Sequence, residues 1–419
     1  MSELRTVILA AGKGTRMKSD VPKVLHLVLG KPIIQYVIDV AKAVGSLKNY
    51  VVLGHQADMV AAVVGKDCEY VNQTELLGTG DAVKRTKKLL KNFNGNVLIL
   101  CGDTPLLDKK VVKQLVSLHN RKKAVCTFLT AVLDNPFGYG RIVRDKKGNA
   151  VAIHEHGDAT SDERNIKEIN VGVYCVRSKD LFAALDLVKL NAKKKELYLT
   201  DMVEYFAKKG MKVETVVTDD PDVGLGVNTR EQLALAGLKL RDKIVQYWME
   251  QGVTIMDPIS TFIAPDVTIG KDTLIRPFTF IENNVKLGAR CVVGPFVRFR
   301  PGTRIGNNVD IGNFTEVNNS SMGDGCFMKH FSYLGDAVLG KNVNIGAGTV
   351  TANFNGIKKN ETKIGDGAFI GSDSILVAPV TVGKGALTGA GSVVTAGTKV
   401  PPGYAAIGVP ARLRRRKTL

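Results

Sequence analysis

Two short stretches of this chain carry residue types suited to phosphate chemistry. Leu9-Ala10-Ala11-Gly12-Lys13-Gly14-Thr15-Arg16-Met17 follows an apolar, strand-like run. Its two glycines let backbone N–H groups close on an anion, and Lys13 and Arg16 add positive charge. A glycine-rich segment can also be only a turn. It is not a Walker loop, because Gly-Lys-Ser/Thr is absent, and the dinucleotide fingerprint G-x-G-x-x-G is incomplete. Pro22-Lys23-Val24-Leu25 follows closely, and the ordered pair of motifs is much more specific than either piece. Cys101-Gly102-Asp103-Thr104-Pro105-Leu106 ends a second apolar run. An aspartate there can hold Mg²⁺ against phosphate oxygens or cap the next helix. Further on, His330 in Lys329-His330-Phe331-Ser332-Tyr333 has the side chain of a general base or of an ordinary structural histidine.

The elements that must position these residues divide the chain in two. In the front half, Thr6–Ala11, Tyr50–Gly54, Asn96–Gly102 and Ala124–Leu133 are apolar strands. Amphipathic segments such as Pro32–Val44 and Asp81–Leu90 alternate with them. This order predicts an α/β, Rossmann-like domain with a parallel sheet and helices on both faces. Ligands of such sheets bind outside the carboxyl ends of the strands, where both phosphate motifs stand. Thr229 to Gln251 repeats apolar residues on one helical face, with Trp248 as a packing residue near its end. From Ile263 onward every sixth residue is large and apolar: Ile269, Ile275, Ile281, Leu287, Val293, Phe299, Ile305, Ile311 and Val317. A period of six, with Gly or Ala beside several of these positions, predicts a parallel β-helix of hexapeptide repeats. The register slips after Val317, where distorted rungs are expected. It breaks over Thr351–Thr362, and Ile364, Ile370, Leu376, Val382, Thr388, Val394 and Val400 then resume it. A loop thrown from a regular solenoid often carries function. The expected divisions are 1–228, a connecting helix 229–251, and 252–419.

A chain of 419 residues exceeds what one core usually serves. Its six cysteines are scattered without a CxxC pair, which reads as reduced thiols. No apolar run reaches a membrane span, and Met1-Ser2-Glu3-Leu4-Arg5 leads into a strand rather than a signal peptide. A cytoplasmic location is therefore expected. The net charge of +18 raises nucleic acid as a partner. The lysines are spread along the chain, however, in pairs such as Lys109-Lys110 and runs such as Lys193-Lys194-Lys195. The one dense basic run is the tail, Arg412 to Lys417. This fits a generally basic surface and small anionic substrates, with no nucleic acid.

The front half resembles the sugar-1-phosphate nucleotidyltransferases. The resemblance covers nearly all of it, through Gln73-Thr74-Glu75-Leu76-Leu77-Gly78-Thr79-Gly80, Gly138-Tyr139-Gly140-Arg141-Ile142, His154-Glu155-His156, Glu168-Ile169-Asn170-Val171-Gly172, Leu199-Thr200-Asp201 and Gly226-Val227-Asn228. Together with the solenoid, the chain resembles the bifunctional family that joins an N-acetylglucosamine-1-phosphate uridylyltransferase to a glucosamine-1-phosphate N-acetyltransferase (GlmU type). The resemblance implies that Leu9, Ala10, Ala11, Gly12, Gln73, Gly78 and Thr79 hold the uridine nucleotide UTP. It implies that Arg16 and Lys23 hold its phosphates, that Asp103 and Asn228 ligate Mg²⁺, and that Gly140, Glu155 and Asn170 recognise N-acetylglucosamine-1-phosphate. In the back half it implies a left-handed β-helix acetyltransferase with His330 as general base. Arg300 would hold the phosphate of glucosamine-1-phosphate, and Tyr333 and Asn344 would hold its sugar. Asn353 would orient the amine, with Lys359 nearby. Ala347, Asn353, Phe354, Ser372 and Ala390 would line the acetyl-CoA groove. A homotrimer and a role in building peptidoglycan and lipopolysaccharide are further implications.

Four positions depart from the family pattern. Asn318 stands where a phosphate-binding lysine is usual. Lys329 precedes the histidine, where its charge could lower the imidazole pKa or supply the phosphate contact. Phe354 replaces a tyrosine, and Gly408 an arginine for CoA. The alternative is a uridylyltransferase whose β-helix acetylates another amino-sugar phosphate or serves only as an assembly scaffold.

Overall fold

The computed structural model describes residues 3–191 and 195–415. Met1 and Ser2, the lysine pair Lys193-Lys194, and Arg416 and Lys417 of the basic tail lie outside the described residues. The chain forms two compact units, Met1–Lys239 and Leu240–Leu419. The division falls inside a long helix, Arg230–Glu250.

Nine strands build the sheet of the first unit: β1 (Leu4–Ala10), β2 (Asn49–Leu53), β3 (Glu69–Asn72), β4 (Asn96–Cys101), β5 (Cys126–Val132), β6 (Arg141–Arg144), β7 (Ala150–His154), β8 (Glu168–Arg177) and β9 (Val213–Thr218). The order is β9-β5-β8-β4-β1-β2-β3, with the hairpin β6–β7 attached to β8. Side chains alternate across a strand, so a strand buried on both sides feeds two cores. In β4, Leu98 and Leu100 join the cluster that contains Ile34, Ile38 and Leu115 of the helices Ile33–Ala43 and Lys109–Lys122. Val97 and Ile99 join the opposite cluster, with Val83, Leu181 and Phe206. The Rossmann-like class is as expected, but the sheet is mixed. β8 runs antiparallel to β4, β5 and β6. Between β5 and β8 lie the hairpin β6–β7 and the four-residue helix Ser161–Arg164, not the long crossover helix that a parallel strand needs.

The second unit is the left-handed β-helix. Its short strands stack into three parallel sheets of 10, 8 and 8 strands, apart from the antiparallel last strand Arg412–Arg415. Partners in neighbouring coils are 18 residues apart, as in Phe280↔Arg298 and Lys286↔Arg304. The hexad residues Ile263 to Val400 fill the prism, where Thr388 is also buried. Every sixth residue forms a corner with positive φ: Asp272, Phe278, Asn284, Arg290, Phe296, Gly302, Asn308 and Phe314. The slips after Val317 are coils of 17 residues, as in Arg304↔Ser321 and Glu316↔Tyr333. The rungs stay paired through them, so the missing residue is absorbed at corners rather than by distorted strands. Trp248 packs against this core, as the sequence suggests. All six cysteines are free, and among the described residues no helix is long and apolar enough to cross a membrane.

One buried group gives the first unit a pH dependence. His119 has its Nδ1 3.0 Å from Thr127 Oγ1 and its Nε2 3.2 Å from Asn96 Oδ1. Burial, then the nearby Arg177 charge, pushes its pKa down to about 4. The unfolded chain takes up this proton near 6.5. The stability contributed by the neutral ring is therefore whole above about 6.5 and is lost as pH falls toward about 4. The urea midpoint, followed by far-UV circular dichroism, is expected to fall more between pH 7 and pH 5 in wild type than in His119→Gln. Equal falls would place the acid sensitivity elsewhere.

Candidate active sites

In the first unit the phosphate motifs converge at the carboxyl end of the sheet. β1 runs into a loop in which Gly14 takes a left-handed φ of 62°. A Cβ on Gly14 would lie 2.8 Å from the Lys23 Cβ, so the glycine lets the two motifs pack together. Gly102 N–H donates to Leu9 O at 2.9 Å, and Val227 N–H to Asp103 O at 2.9 Å. Three distant segments thus meet around one point. There the Lys23 ammonium donates to Asp103 Oδ2 at 2.5 Å and to Asn228 Oδ1 at 2.9 Å. Arg16 is exposed on the short turn Thr15–Met17, and Lys13 is exposed beside it.

The remaining front residues fall into two groups. Gln73 is buried; its Nε2 donates to Gly78 O at 3.0 Å and to Asp81 Oδ2 at 2.9 Å. Gly78, with φ 96°, and Thr79 lie against Leu197–Leu199, where Leu199 N–H donates to Thr79 Oγ1 at 3.1 Å. Gly140, Glu155 and Asn170 form the second group. Asn170 N–H donates to Gly140 O at 2.9 Å, and a Cβ on Gly140 would lie 3.6 Å from Glu155 Oε2. Thr200 Oγ1 donates to Glu155 Oε1 at 3.2 Å, and Asn170 Nδ2 to the Tyr174 hydroxyl at 2.6 Å. Next to Thr200, burial and the nearby carboxylates raise the pKa of Asp201 to about 6. Thr200, Tyr174 and Asp81 have no role assigned from sequence. Tyr174 stands four residues from Asn170 on the same strand, Asp81 reaches Gln73 across the Gly78 turn, and only folding brings Thr200 to Glu155, 45 positions away.

In the second unit the candidate residues lie on neighbouring coils. His330 ends the strand Phe327–His330 and is exposed; its carbonyl accepts from Ser332 Oγ at 2.7 Å. Tyr333 opens the next strand and pairs in register with Glu316. Glu316 accepts from Arg300 Nη1 at 3.0 Å, lies 3.8 Å from Arg298, and holds the Arg300 pKa above its ordinary value. Glu316 has no role assigned from sequence, although the 18-residue coil period places it directly beside Arg298. A Cβ on Gly335 would overlap both the Tyr333 hydroxyl and Asn353 Nδ2, so these two polar groups meet over one glycine. Asn353 is buried and donates to Asp336.

The break Thr351–Thr362 is a small hairpin closed by a bridge between Phe354 and Lys359 and by Asn360 N–H donating to Asn353 O at 2.7 Å. Both Phe354 and Lys359 are exposed. Asn344 pairs with Phe327 on one side and Phe369 on the other. Ala347, Ser372 and Ala390 stand just after strands on successive coils, with Asp373 N–H donating to Ala347 O and Gly391 N–H to Ser372 O. Lys329 pairs with Asp310 at 3.0 Å, so its charge is balanced by a carboxylate on the preceding coil. Gly408 has φ 102° and its N–H donates to Ser392 Oγ. A larger residue there would be strained.

The fold and these two sets of residues define a transferase in two parts, a nucleotidyltransferase sheet followed by a hexapeptide prism. A family model described as the MobA-like NTP transferase domain matches residues 6–195. One described as bacterial transferase hexapeptide (six repeats) matches residues 284–319 and 361–396. The "Bifunctional protein GlmU" of Halalkalibacterium halodurans is 42% identical over 94% of this chain and 94% of its own. The protein of the same name from Lactococcus lactis is 42% identical over 96% of this chain and 94% of its own. That of Geobacillus sp. (strain WCH70) is 44% identical over 93% and 92%. The chain belongs to the bifunctional GlmU family.

Proposed function

We propose that this chain makes UDP-N-acetylglucosamine in two steps, feeding cell-wall synthesis. The β-helix, 252–419, transfers acetyl from acetyl-CoA to glucosamine-1-phosphate. The amine nitrogen attacks the thioester carbonyl, His330 takes the proton, and the CoA thiol leaves. The front domain, 1–228, joined through the helix 229–251, then lets a phosphate oxygen of N-acetylglucosamine-1-phosphate attack the α-phosphorus of UTP, and pyrophosphate leaves. The second reaction needs positioning and charge neutralisation more than a protein nucleophile. The observation that carries this reading is the meeting of Lys23, Asp103 and Asn228 at the carboxyl end of β4, flanked by the Gly12–Arg16 loop.

Asp103 and Asn228 offer a carboxylate and an amide oxygen, a hard donor set that suits Mg²⁺, and the Lys23 ammonium between them stands in for a cation. When bound, Mg²⁺ would neutralise charge on the phosphates. Arg16 and Lys23 would hold the same phosphates. Gln73, Gly78 and Thr79 would seat the uridine beside Leu9–Gly12, and Gly140, Glu155 and Asn170 the acetylated sugar.

We infer a cytoplasmic homotrimer in which Asn353, Phe354 and Lys359 serve a neighbouring subunit's site. The support is apolar surface that a monomer would leave wet. Phe278, Phe296 and Phe314 stack in one exposed column at 4.7 and 5.0 Å, and the hairpin exposes Phe354 and Ile357.

The test is made on wild type. Free thiol should appear with acetyl-CoA and glucosamine-1-phosphate, and pyrophosphate with UTP and N-acetylglucosamine-1-phosphate. Thiol release with galactosamine-1-phosphate alone would move the back half to another amino sugar. No thiol release with either would leave it a scaffold.

A further inference from the structure

The Lys23 ammonium lies where the proposed metal ligands converge. Its two acceptors, Asp103 Oδ2 and Asn228 Oδ1, are the oxygens that reading assigns to Mg²⁺. The arrangement is built in from three sides. Lys23 opens the short helical turn Lys23–Leu25, and its Cβ is fixed against Gly14. Asp103 is held through its carbonyl by Val227 N–H. Asn228 N–H donates to Gln232 Oε1 at 2.8 Å, and its Nδ2 points back to Gly226 O at 3.4 Å, which turns Oδ1 toward Lys23. The Lys23 and Asp103 side chains are 13% and 21% exposed, so solvent screens the pair only in part.

Among the described residues no group of three His, Cys, Asp or Glu side chains could hold a metal ion. A divalent ion at Asp103 therefore finds few protein oxygens, and two of them, Asp103 Oδ2 and Asn228 Oδ1, already accept from an ammonium. An ammonium that already holds these two oxygens repels a divalent ion approaching them, which weakens metal binding until the ammonium moves. Lysine carries its charge on a flexible four-carbon stem, so it can leave Asp103 without moving the backbone. It needs another anion to go to, and a nucleotide triphosphate provides one beside the Gly12–Arg16 loop.

We propose that Lys23 is the resident cation of this site, occupying the Asp103–Asn228 oxygens until a nucleotide's phosphates draw it away, so that a divalent ion enters together with nucleotide and not before it. This rests on Asp103 and Asn228 being the metal ligands. Metal and nucleotide then raise each other's affinity by the same factor, and Lys23 supplies that coupling.

Mn²⁺ binding to the full chain, measured by equilibrium dialysis with UTP at equal free concentration on both sides where it is present, so that only protein-bound metal is counted, tests this. Without nucleotide, wild type and Lys23→Arg should bind weakly, and Lys23→Met at least about tenfold more tightly. Addition of UTP should tighten wild type strongly and Lys23→Met little. Should Lys23→Met melt early, Lys23→Gln is read the same way. Equal nucleotide-free affinity in wild type and Lys23→Met would overturn the proposal, as would tight binding by Lys23→Arg. Asp103→Asn separates the two ideas. If it abolishes Mn²⁺ binding in the presence of UTP while Lys23→Met matches wild type, the ligands stand and the role of Lys23 falls. If it leaves that binding intact, the ligand assignment falls and the proposal with it.

Discussion

Asp103→Ala is expected to lower UTP-dependent pyrophosphate release by about 10³-fold while leaving thiol release from acetyl-CoA unchanged. The carboxylate sits at the carboxyl end of a central strand, between β1 and the Gly226–Asn228 segment. Its removal has two effects that act together. A bound Mg²⁺ would lose one of the two residues proposed to hold it, and Lys23 loses the partner 2.5 Å away that holds it at the site. Mg²⁺ held there would neutralise phosphate charge as pyrophosphate departs, so its loss should weaken the transition state more than substrate binding, and kcat should fall further than KM rises. The backbone bonds of residue 103 do not use its side chain, so the fold should persist. A variant retaining more than a tenth of wild-type pyrophosphate release would remove Asp103 from the reaction.

Much of this arrangement is written locally in the sequence, and the limits of that legibility are physical. The hexad positions from Ile263 to Val400 could be read because a coil buries one large residue per face, whatever its neighbours do. Four of the nine front strands, β1, β2, β4 and β5, could be read because their apolar runs leave few other choices; β3, β6, β7, β8 and β9 are shorter or more polar and not separable from loops. The antiparallel run of β8 could not be read, because periodicity reports burial and not direction. The Lys23 contact could not either. Its acceptors lie 80 and 205 positions away, and no local spacing encodes a meeting of three segments at a sheet edge. Glu316 is an intermediate case. Its place beside Arg298 follows from the regular 18-residue coil, but its place beside Tyr333 follows only once the 17-residue coils after Val317 are located. The two departures at Lys329 and Gly408 also acquire reasons only in three dimensions: a carboxylate on the neighbouring coil and a left-handed backbone.

His330→Ala is expected to reduce acetyl transfer to glucosamine-1-phosphate by about 10²–10⁴-fold, with uridylyl transfer intact. The amine nucleophile must lose a proton as it attacks, and the charged side chains on the coils that carry the expected acetyltransferase residues divide into those that can take it and those that cannot. Arg300 is held above its ordinary pKa by Glu316, so it binds anions and does not accept protons. Glu316 is occupied by that same arginine. Asp336 accepts from both Asn319 and Asn353, which commits it to orienting the hairpin. The exposed imidazole, on a strand end braced by Ser332, is the base proposed above. A second variant separates loss of the base from loss of geometry. In Gly335→Ala the new methyl would displace the Tyr333 hydroxyl and ring edge and Asn353 Nδ2, all of them side-chain atoms and none of them backbone. That variant should lose activity mainly through a higher KM for the sugar phosphate, and His330→Ala mainly through kcat. Full thiol release by His330→Ala would make this histidine structural and send the search for the base back to the neighbouring coils.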